Sequence, residues 1–270
     1  MDVLITGGAG GLGRALAVEC AKRGYRIFLI DVQLQPLLSI KQGLERQFGA
    51  AVYVSACNIT EPEQVRHMLE KAAQEGWKWD MLLNVAGVDY EGAFAQKQSG
   101  QLLDIVKVNV EATLMITHES LTYRREGSPF YIVFVSSLAS LYPMPLKATY
   151  AASKRFLLDF SIALGRELKS EQVSILALCP GGLATTAQAL AGINAQGFWG
   201  QMTTNRLEQV SRKTISKVLH HKKIYIPGAI NKGLSMAGKL VPNRWIAKLL
   251  YARWKSAQSK WLDEQSCSEL

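Results

Sequence analysis

A tyrosine and a lysine four positions apart, Tyr150 and Lys154, open a stretch with helical periodicity. Residues i and i+4 lie on one face of a helix, so the ammonium of Lys154 can sit near the phenol of Tyr150. A cation stabilises phenolate, and an unperturbed tyrosine, with a pKa of about 10, is a poor base at neutral pH. We therefore expect Lys154 to lower the pKa of Tyr150, which makes Tyr150 a candidate general acid and base.

A glycine-rich run, Thr6-Gly7-Gly8-Ala9-Gly10-Gly11-Leu12-Gly13, follows the first apolar run of the chain and precedes a helical pattern. Glycines permit positive φ angles and let backbone amides approach phosphate groups, and a helix N-terminus adds partial positive charge. The order of strand, glycine turn and helix predicts a site for the pyrophosphate of a dinucleotide.

An acid at the end of the second predicted strand bears on which dinucleotide binds. Asp31 follows Gly13 by 18 residues, where a carboxylate accepts hydrogen bonds from the adenosine ribose hydroxyls and repels a 2′-phosphate. Arg14, just past the glycine run, is the residue that would favour NADP(H). We expect NAD(H) in preference to NADP(H).

The elements that position these residues also follow from the sequence. Short apolar runs alternate with amphipathic stretches of helical length, which predicts an α/β fold of the doubly wound, Rossmann type, with a parallel sheet and helices on both faces. The expected strands are Asp2–Thr6, Arg26–Asp31, Ala51–Ala56, Asp80–Asn84, Phe130–Ser136, Val173–Cys179 and Lys223–Ile226. The expected helices are Leu12–Arg23, Pro36–Phe48, Pro62–Glu75 with Thr60 as its N-cap, one within Gln101–Tyr123, Tyr150–Lys169 and Leu207–Leu219.

Two further motifs join the glycine run in order: Asn84-Val85-Ala86-Gly87 after the fourth strand and Tyr150-Ala151-Ala152-Ser153-Lys154 on a helix. From residue 2 to about residue 228 the chain resembles the compact type of short-chain dehydrogenase/reductase. The glycine run also fits the longer sugar-nucleotide epimerase type, but 270 residues leave no room for the larger substrate domain of that type. The resemblance implies reversible oxidation of a secondary alcohol to a ketone with a nicotinamide cofactor.

The same resemblance implies roles for four catalytic residues. Tyr150 would exchange the proton, Lys154 would also hold the nicotinamide ribose, and Asn109 would hold a water in a proton relay with that lysine. Ser137, 13 residues before Tyr150, aligns with the serine that donates to the developing alkoxide. Ser136 is the rival by one residue, and the spacing to the tyrosine favours Ser137.

Cofactor contacts are implied in the same way. Pro180-Gly181-Gly182-Leu183-Ala184-Thr185 matches a segment that holds the nicotinamide carboxamide, with Thr185 as the first choice and Thr186 as the fallback. Asn58 stands where the family commonly has an aspartate that touches adenine. The expected contacts are Gly7, Gly11, Leu12, Gly13, Asp31, Asn58, Ile59, Asn84, Ala86, Gly87, Tyr150, Lys154, Pro180, Gly181, Leu183 and Thr185.

The segment Ala187–Thr204 is expected, from its position, to form a lid over the substrate. Phe198, Trp199 and Met202 would give the lid an apolar lining, which favours a steroid, a lipid-like acyl ketone or a hydrophobic alcohol as substrate. The alternative function is that of a nucleotide-binding sensor or scaffold with the same fold and no turnover.

Positive charge is concentrated towards the C-terminus. The chain has a net charge of +9, and Arg206–Lys260 contains 13 Lys or Arg and one acid, which leaves 18 basic and 21 acidic residues elsewhere. We expect a single domain over 1–228 and a basic, aromatic-rich extension over 229–270. Apolar side chains of the extension would pack on the protein or a neighbouring subunit, or lie on an anionic membrane surface. Nucleic acid is not an expected partner, because no reading motif accompanies the charge.

The composition indicates the class of protein and its cellular compartment. With 48% apolar residues the chain is typical of a globular protein, and neither a secretory signal nor a membrane-spanning run is expected. Four scattered cysteines predict buried free thiols in a reducing cytoplasm. No metal-ligand spacing occurs, so no metal site is expected. The family resemblance implies a homodimer or homotetramer.

Overall fold

The structure is a computed structural model that describes residues 1–185 and 201–253. Its strands are β1 (Asp2–Thr6), β2 (Arg26–Asp31), β3 (Val52–Ala56), β4 (Met81–Asn84), β5 (Phe130–Val135), β6 (Val173–Leu178) and β7 (Ile224–Tyr225). They form one parallel sheet in the order β3-β2-β1-β4-β5-β6-β7. The doubly wound parallel fold predicted from the sequence is confirmed.

The helices are α1 (Gly11–Lys22), α2 (Leu34–Phe48), α3 (Pro62–Gln74), α4 (Ser99–Val106), α5 (Thr113–Thr122), α6 (Ala148–Glu167), α7 (Leu207–Leu219) and α8 (Ala229–Ala237). A π-helical segment, Lys107–Ala112, joins α4 to α5, so the long helix predicted there is interrupted by an irregular turn. Residues 243–253 are also helical. The last helix falls within Pro242–Trp261, which the sequence marks as a basic, aromatic-rich helix candidate, whereas α8 has no counterpart in the sequence prediction of helices.

Both faces of the sheet are covered by helices. On β1, Val3 and Ile5 join the apolar core beneath α1, α2 and α7, whereas Leu4 joins the core beneath α3, α5 and α6. Burial on both faces explains why the strands are continuous apolar runs in the sequence instead of alternating ones.

The start of α3 differs from the prediction. The helix begins at Pro62 with Glu61 as N-cap, and no side chain caps it. The backbone N–H and the hydroxyl of Thr60 both donate to Oδ1 of Asn58, at 3.1 and 2.9 Å. This local turn competes with helix capping for the Thr60 side chain, so the prediction that Thr60 caps α3 is wrong.

The order of the strands in the sheet indicates where the candidate site lies. The strand order reverses between β1 and β4, and ligands of such sheets bind beyond the carboxyl ends of the strands at this point. The glycine run, the turn 84–87, Ser137 and the segment 180–185 follow β1, β4, β5 and β6, so all four lie at this edge.

Cys20, Cys57 and Cys179 are buried free thiols, as predicted, and Cys267 lies outside the described residues. Within 1–185 and 201–253, no helix has the length and apolar character needed to cross a membrane.

Candidate active site

Three side chains predicted to carry the chemistry lie together at the carboxyl edge of the sheet. Ser137 follows β5, and Tyr150 and Lys154 occupy the first turns of α6. The hydroxyl of Ser137 lies near enough to the phenol of Tyr150 to act on its pKa as a hydrogen-bonding group, and the ammonium of Lys154 lies 5.7 Å from the centroid of the tyrosine ring. Two adjacent hydroxyls can both donate to one carbonyl oxygen, which polarises the carbonyl and brings a proton to it.

Ser136, the alternative to Ser137, has a different environment. Its side chain is buried, and its hydroxyl donates to the backbone carbonyl of Lys154 at 2.7 Å. Ser137 is half-buried, and its hydroxyl oxygen also accepts a hydrogen bond from the backbone N–H of Ala139 at 3.1 Å. The structure therefore places Ser137, and not Ser136, beside Tyr150.

Lys154 is enclosed by the protein. Its ammonium donates to the carbonyl of Val135 at 3.0 Å, and burial lowers its pKa to about 8. A Cβ atom on Gly87 would lie 3.0 Å from the ammonium nitrogen and 3.0 Å from Oδ1 of Asn109. A glycine at position 87 thus leaves room for both side chains at the site.

The groups of the protein itself raise the pKa of Tyr150. The sequence predicts that Lys154 together with a positively charged nicotinamide lowers this pKa, and that combined effect stays a prediction. Burial is the largest cause, because a buried phenolate loses hydration. The carboxylate of Asp89 adds to the rise, and the ammonium of Lys147 and the hydroxyl of Ser137 act against it. The protein's own groups therefore hold Tyr150 as the neutral phenol, which is the form that donates a proton.

A charged cluster at the rim of this site is missed by the sequence prediction. The ammonium of Lys147 lies 2.6 Å from Oδ2 of Asp89, contacts the carboxylate of Glu91, and lies 5.6 Å from the centroid of the Tyr150 ring. Asp89 and Lys147 are 58 residues apart in the chain, and the pairing of β4 with β5 brings their loops together. The one signal in the sequence is the position of Lys147, one helical turn before Tyr150.

Backbone contacts fix the two loops of this cluster to each other. The carbonyl of Leu146 accepts hydrogen bonds from the backbone N–H of Gly92 at 3.1 Å and from Nζ of Lys97 at 3.3 Å. Leu146 has a φ of 67°, a left-handed conformation that costs a residue with a side chain about 1–3 kcal/mol. The loops after β4 and β5 thus form a held rim beside Tyr150.

The glycine run forms a tight turn against the loop after β4. Gly7 has a φ of 64°, and a Cβ atom there would lie 2.8 Å from the backbone of Ala86. A Cβ atom on Gly13 would lie 2.2 Å from the carbonyl oxygen of Gly7. Because side chains are excluded at both positions, backbone amides and the N-terminus of α1 can approach a pyrophosphate closely. The residues present fit a dinucleotide.

Asp31 lies at the end of β2, beside the glycine run. Its Oδ2 accepts a hydrogen bond from the backbone N–H of Ala9 at 3.1 Å, and its Oδ1 accepts one from the N–H of Gln33 at 3.2 Å. The carboxylate is held in place, and each oxygen keeps a lone pair for a hydroxyl donor. Arg14 is exposed on the first turn of α1.

The segment 180–185 reaches the glycine run. The backbone N–H of Gly181 donates to Oδ1 of Asn205 at 3.1 Å, which fixes the start of the segment. A Cβ atom on Gly11 would lie 2.9 Å from Cα of Thr185, so these two backbones are in contact. The structure therefore places Thr185 over the N-terminus of α1. Thr186, the fallback, lies outside the described residues.

The sequence matches a known protein family. The model of the family described as short chain dehydrogenase matches residues 2–195. The chain belongs to the short chain dehydrogenase family. The family predicted from the three motifs is confirmed.

The relatives that this chain resembles are named for different substrates. The chain is similar to human (Homo sapiens) 17-beta-hydroxysteroid dehydrogenase type 3, with 30% identity over 184 residues, which are 67% of this chain and 59% of that protein. It is similar to human (Homo sapiens) 15-hydroxyprostaglandin dehydrogenase (NAD(+)), with 30% identity over 186 residues, 67% of this chain and 68% of that protein. For several other curated relatives the chain spans 52% to 60% of their length.

Among solved structures, L-sorbose reductase from Gluconobacter frateurii, in complex with NADPH and L-sorbose, has a TM-score of 0.74 to this chain. The likeness covers 84% of this chain and 94% of that chain at 20% sequence identity. It therefore concerns the fold.

Asn109, which the family resemblance assigns to holding a water, is buried in the π-helical segment. Its Oδ1 accepts a hydrogen bond from the backbone N–H of Val88 at 2.8 Å, and its Nδ2 donates to the carbonyl of Val88 at 3.0 Å and to the hydroxyl of Ser153 at 3.1 Å. The amide hydrogens are thus used by protein groups, and a water would bind the backbone carbonyl or the second lone pair of Oδ1. The water-holding role stays a prediction.

Other members of the expected cofactor set are engaged within the protein. Asn84 is buried and donates its Nδ2 to the hydroxyl of Thr117 at 3.0 Å, which joins β4 to α5. Oδ1 of Asn58 is used by Thr60, so an adenine contact would fall to the Nδ2 donors of Asn58. Side chains of the expected set that pack in or against the apolar core are those of Leu12, Ile59, Ala86 and Leu183.

Most of the predicted lid, including Phe198 and Trp199, lies outside the described residues. Met202, the other expected lining residue, is half-buried. Asn231 on α8 is buried and donates its Nδ2 to the carbonyl of Thr203 at 3.0 Å. The C-terminal end of the predicted lid is therefore attached to α8.

Proposed function

We propose that this protein is an NAD(H)-dependent oxidoreductase that interconverts a secondary alcohol and a ketone on an apolar substrate. The observation that carries the proposal is the proximity of the hydroxyls of Ser137 and Tyr150 beside the buried ammonium of Lys154. A fold alone does not specify a reaction, because one fold hosts many functions. A proton donor, a second hydroxyl and a fixed cation close together are the groups that carbonyl reduction requires.

Each group has a defined task. In reduction, Ser137 donates a hydrogen bond to the carbonyl oxygen of the ketone and Tyr150 transfers its phenolic proton to that oxygen. In oxidation, the phenolate of Tyr150 removes the proton of the alcohol. Lys154 keeps two donors after its bond to Val135, and these can hold the nicotinamide ribose. NAD(H), when bound, supplies or accepts the hydride.

Support for NAD(H) over NADP(H) comes from Asp31, whose carboxylate is fixed beside the glycine run. A ribose 2′-hydroxyl can donate to this carboxylate, whereas a 2′-phosphate would be repelled by it. The human prostaglandin dehydrogenase is named for NAD(+), and the sorbose reductase was solved with NADPH. The names of similar proteins therefore do not decide between NAD(H) and NADP(H). The proposal depends on Asp31, which disfavours a 2′-phosphate, whereas Arg14 is the cation that would favour one.

The substitution Asp31→Ser tests this preference. We expect the wild type to bind NADH at least about tenfold more tightly than NADPH, and the variant to lose that preference because both the hydroxyl acceptor and the repulsion are removed. Fluorescence titration gives the Kd of each cofactor for each protein. Glu70→Ser, at an exposed position on α3, is the control for a lost negative charge. Tighter binding of NADPH by the wild type would contradict the proposal.

An apolar substrate is supported by the loop between Ser137 and Tyr150. Residues 138–146 contain no charged side chain, and Leu138, Leu141 and Met144 among them are half-buried. Ligand sites are lined mainly by apolar groups with a few polar ones that fix orientation. The names of the relatives include a steroid and a prostaglandin dehydrogenase, which agrees with this class.

Turnover itself is tested with Tyr150→Phe. We expect the loss of the proton donor to lower kcat by at least about 100-fold and to leave the Kd of NADH unchanged. The assay is NADH oxidation with a panel of ketones, in which apolar ketones should have higher kcat/KM than sugar ketones. Tyr53→Phe is the control, because its ring keeps the contact with Trp77. A wild type that binds NADH and reduces no ketone would instead be a sensor or scaffold.

Self-association of the protein has support from exposed apolar residues on α4 and α6. Leu103 and Val106 on α4, and Phe156 and Ile162 on α6, are exposed. Exposed apolar groups on one protein surface often mark interfaces. The homodimer or homotetramer expected by resemblance would use these helices, and the cytoplasmic location stays a prediction.

A further inference from the structure

Residues 229–253, the basic apolar segment, differ from the rest of the described chain. The segment contains five basic residues, Lys232, Lys239, Arg244, Lys248 and Arg253, and no acidic residue. It also exposes large apolar side chains: the exposed fractions are 62% for Met236, 87% for Leu240, 58% for Trp245 and 71% for Leu249. Apolar groups that remain in water at this density require an explanation.

In the helix over 243–253, the basic and the exposed apolar side chains lie on different faces. Trp245 and Leu249 are one turn apart and lie on one face, and Arg244 and Lys248 are one turn apart on the neighbouring face. All four side chains are exposed. The sequence expects these apolar side chains to pack on the protein or on a neighbouring subunit; the part of the chain that the structure describes leaves Trp245 and Leu249 largely uncovered, and packing on a subunit stays a prediction.

We propose that the basic apolar segment binds the surface of an anionic membrane. Trp245 and Leu249 would enter the boundary between headgroups and acyl chains, where tryptophan is favoured. Arg244 and Lys248 would pair with the negative headgroups, which attract basic residues near the surface. The charge of one sign along the segment is complementary to a lipid surface of the other sign.

A second copy of this chain fits the segment less well. In a two-fold symmetric dimer the same surface meets itself, so two segments with five basic residues and no acid would face each other. Like charges at close distance repel. The exposed apolar residues of α6, by contrast, stand beside the ion pair of Arg155 and Asp159, a setting of mixed charge that suits self-association.

The segment borders the active site. Tyr142, in the loop after β5, donates its hydroxyl to the carbonyl of Leu234 at 2.6 Å, and its ring lies against Gly238. Asn231 contacts Thr203 at the end of the predicted lid. Membrane contact here would bring the rim of the cleft to the phase in which an apolar substrate dissolves. That consequence rests on the proposed function, whereas the membrane contact itself does not.

Vesicle sedimentation with the full chain tests the proposal. We expect binding to vesicles of phosphatidylcholine mixed with phosphatidylglycerol, and much weaker binding to phosphatidylcholine alone. Arg244→Gln with Lys248→Gln should weaken binding to the mixed vesicles by about 30-fold. Trp245→Ala with Leu249→Ala should weaken it by about tenfold or more. Lys71→Gln with Lys169→Gln, at exposed positions on α3 and after α6, removes the same charge and should retain binding.

Three results would overturn the proposal: no binding to either vesicle, equal binding to both, or the same loss in the control as in the Arg244 and Lys248 variant. A wild-type mass that doubles with concentration and stays monomeric in the Trp245 and Leu249 variant would also overturn it, by assigning the segment to a second copy of the chain. Circular dichroism and NADH binding show that each variant folds. Tyr150→Phe should lose turnover and keep vesicle binding, so failure of this proposal is distinguishable from failure of the proposed activity.

Discussion

Asp89 and Lys147 act on Tyr150 with opposite signs. The carboxylate favours the neutral phenol and raises the pKa of Tyr150, whereas the ammonium favours phenolate and lowers that pKa. The two groups are in contact, so each also limits the field of the other. Their balance, added to burial, determines the pH at which Tyr150 becomes able to remove a proton from an alcohol.

Opposite shifts of the pH profile are therefore expected when either charge is removed. Asp89→Asn removes a group that raises the pKa of Tyr150, so the rise of kcat/KM for alcohol oxidation should move to lower pH. Lys147→Gln removes a group that lowers this pKa, so the rise should move to higher pH. The measurement is the pH dependence of NAD⁺ reduction by the alcohol for the wild type and both variants.

Glu91→Gln is the matched control for this pair. Glu91 also contacts Lys147 and raises the pKa of Tyr150, but it is the smallest of the causes, so its removal should shift the profile to lower pH by less than Asp89→Asn does. Profiles that move in the same direction for Asp89→Asn and Lys147→Gln would show that these charges do not act on Tyr150.

Residue identities at the site could be predicted because spacing is local information. The four-residue step from Tyr150 to Lys154 is legible in the sequence, and so is the position of Ser137 at a strand end. The direction of the pKa shift is not, because it depends on burial and on Asp89, which only the folded chain brings near. For the same reason Asp89 and Lys147 are absent from the predicted site.

At the scale of elements, the π-helical segment Lys107–Ala112 joins the loop after β4 to α6. Such segments are rare and frequently occur at functional sites. Asn109 in this segment bonds both backbone groups of Val88 and the hydroxyl of Ser153. The contact fixes the turn that carries Gly87 next to Lys154.

Asn109→Ala should lower the stability of the protein as well as its activity. The change removes three hydrogen bonds and leaves both backbone groups of Val88 without their partner, so we expect the free energy of unfolding to fall by about 2–4 kcal/mol. Ser153→Ala loses one of these bonds and should lower it by about 1 kcal/mol. Urea unfolding measures both. Equal stability of Asn109→Ala and the wild type would mean that Asn109 does not hold these elements together.

Elements formed by apolar periodicity could be predicted to within a few residues, as β1 and β2 illustrate. Elements that depend on tertiary contacts could not. α8 is held in place by buried hydrogen bonds, since Nδ2 of Asn231 donates to the carbonyls of Thr203 and Pro227. The turn at Asn58 and the π-helical segment likewise depend on hydrogen bonds that no period in the sequence reveals.

At the scale of the whole molecule, two exposed apolar regions differ in charge. The basic apolar segment carries one sign of charge, whereas α6 carries paired charges beside Phe156. The first suits an anionic surface and the second suits a copy of itself. The predicted division between a domain over 1–228 and an extension over 229–270 stays a prediction, and α8 is bound to the body through Asn231.

The assignment of self-association to the helices can be tested with Phe156→Glu. Phe156 is exposed and stacks on Phe160 with ring centroids 5.7 Å apart, so a symmetric contact through α6 would bury it. A carboxylate there would be desolvated in the interface, and we expect the oligomer to dissociate to monomers in light scattering across a concentration series. Phe94→Glu, at an exposed position outside α4 and α6, should keep the wild-type mass. A wild type that is monomeric throughout, or a Phe156→Glu protein that keeps the oligomer, would contradict the assignment.

Retained vesicle binding by the dissociated Phe156→Glu variant would show that α6 and the basic apolar segment act independently.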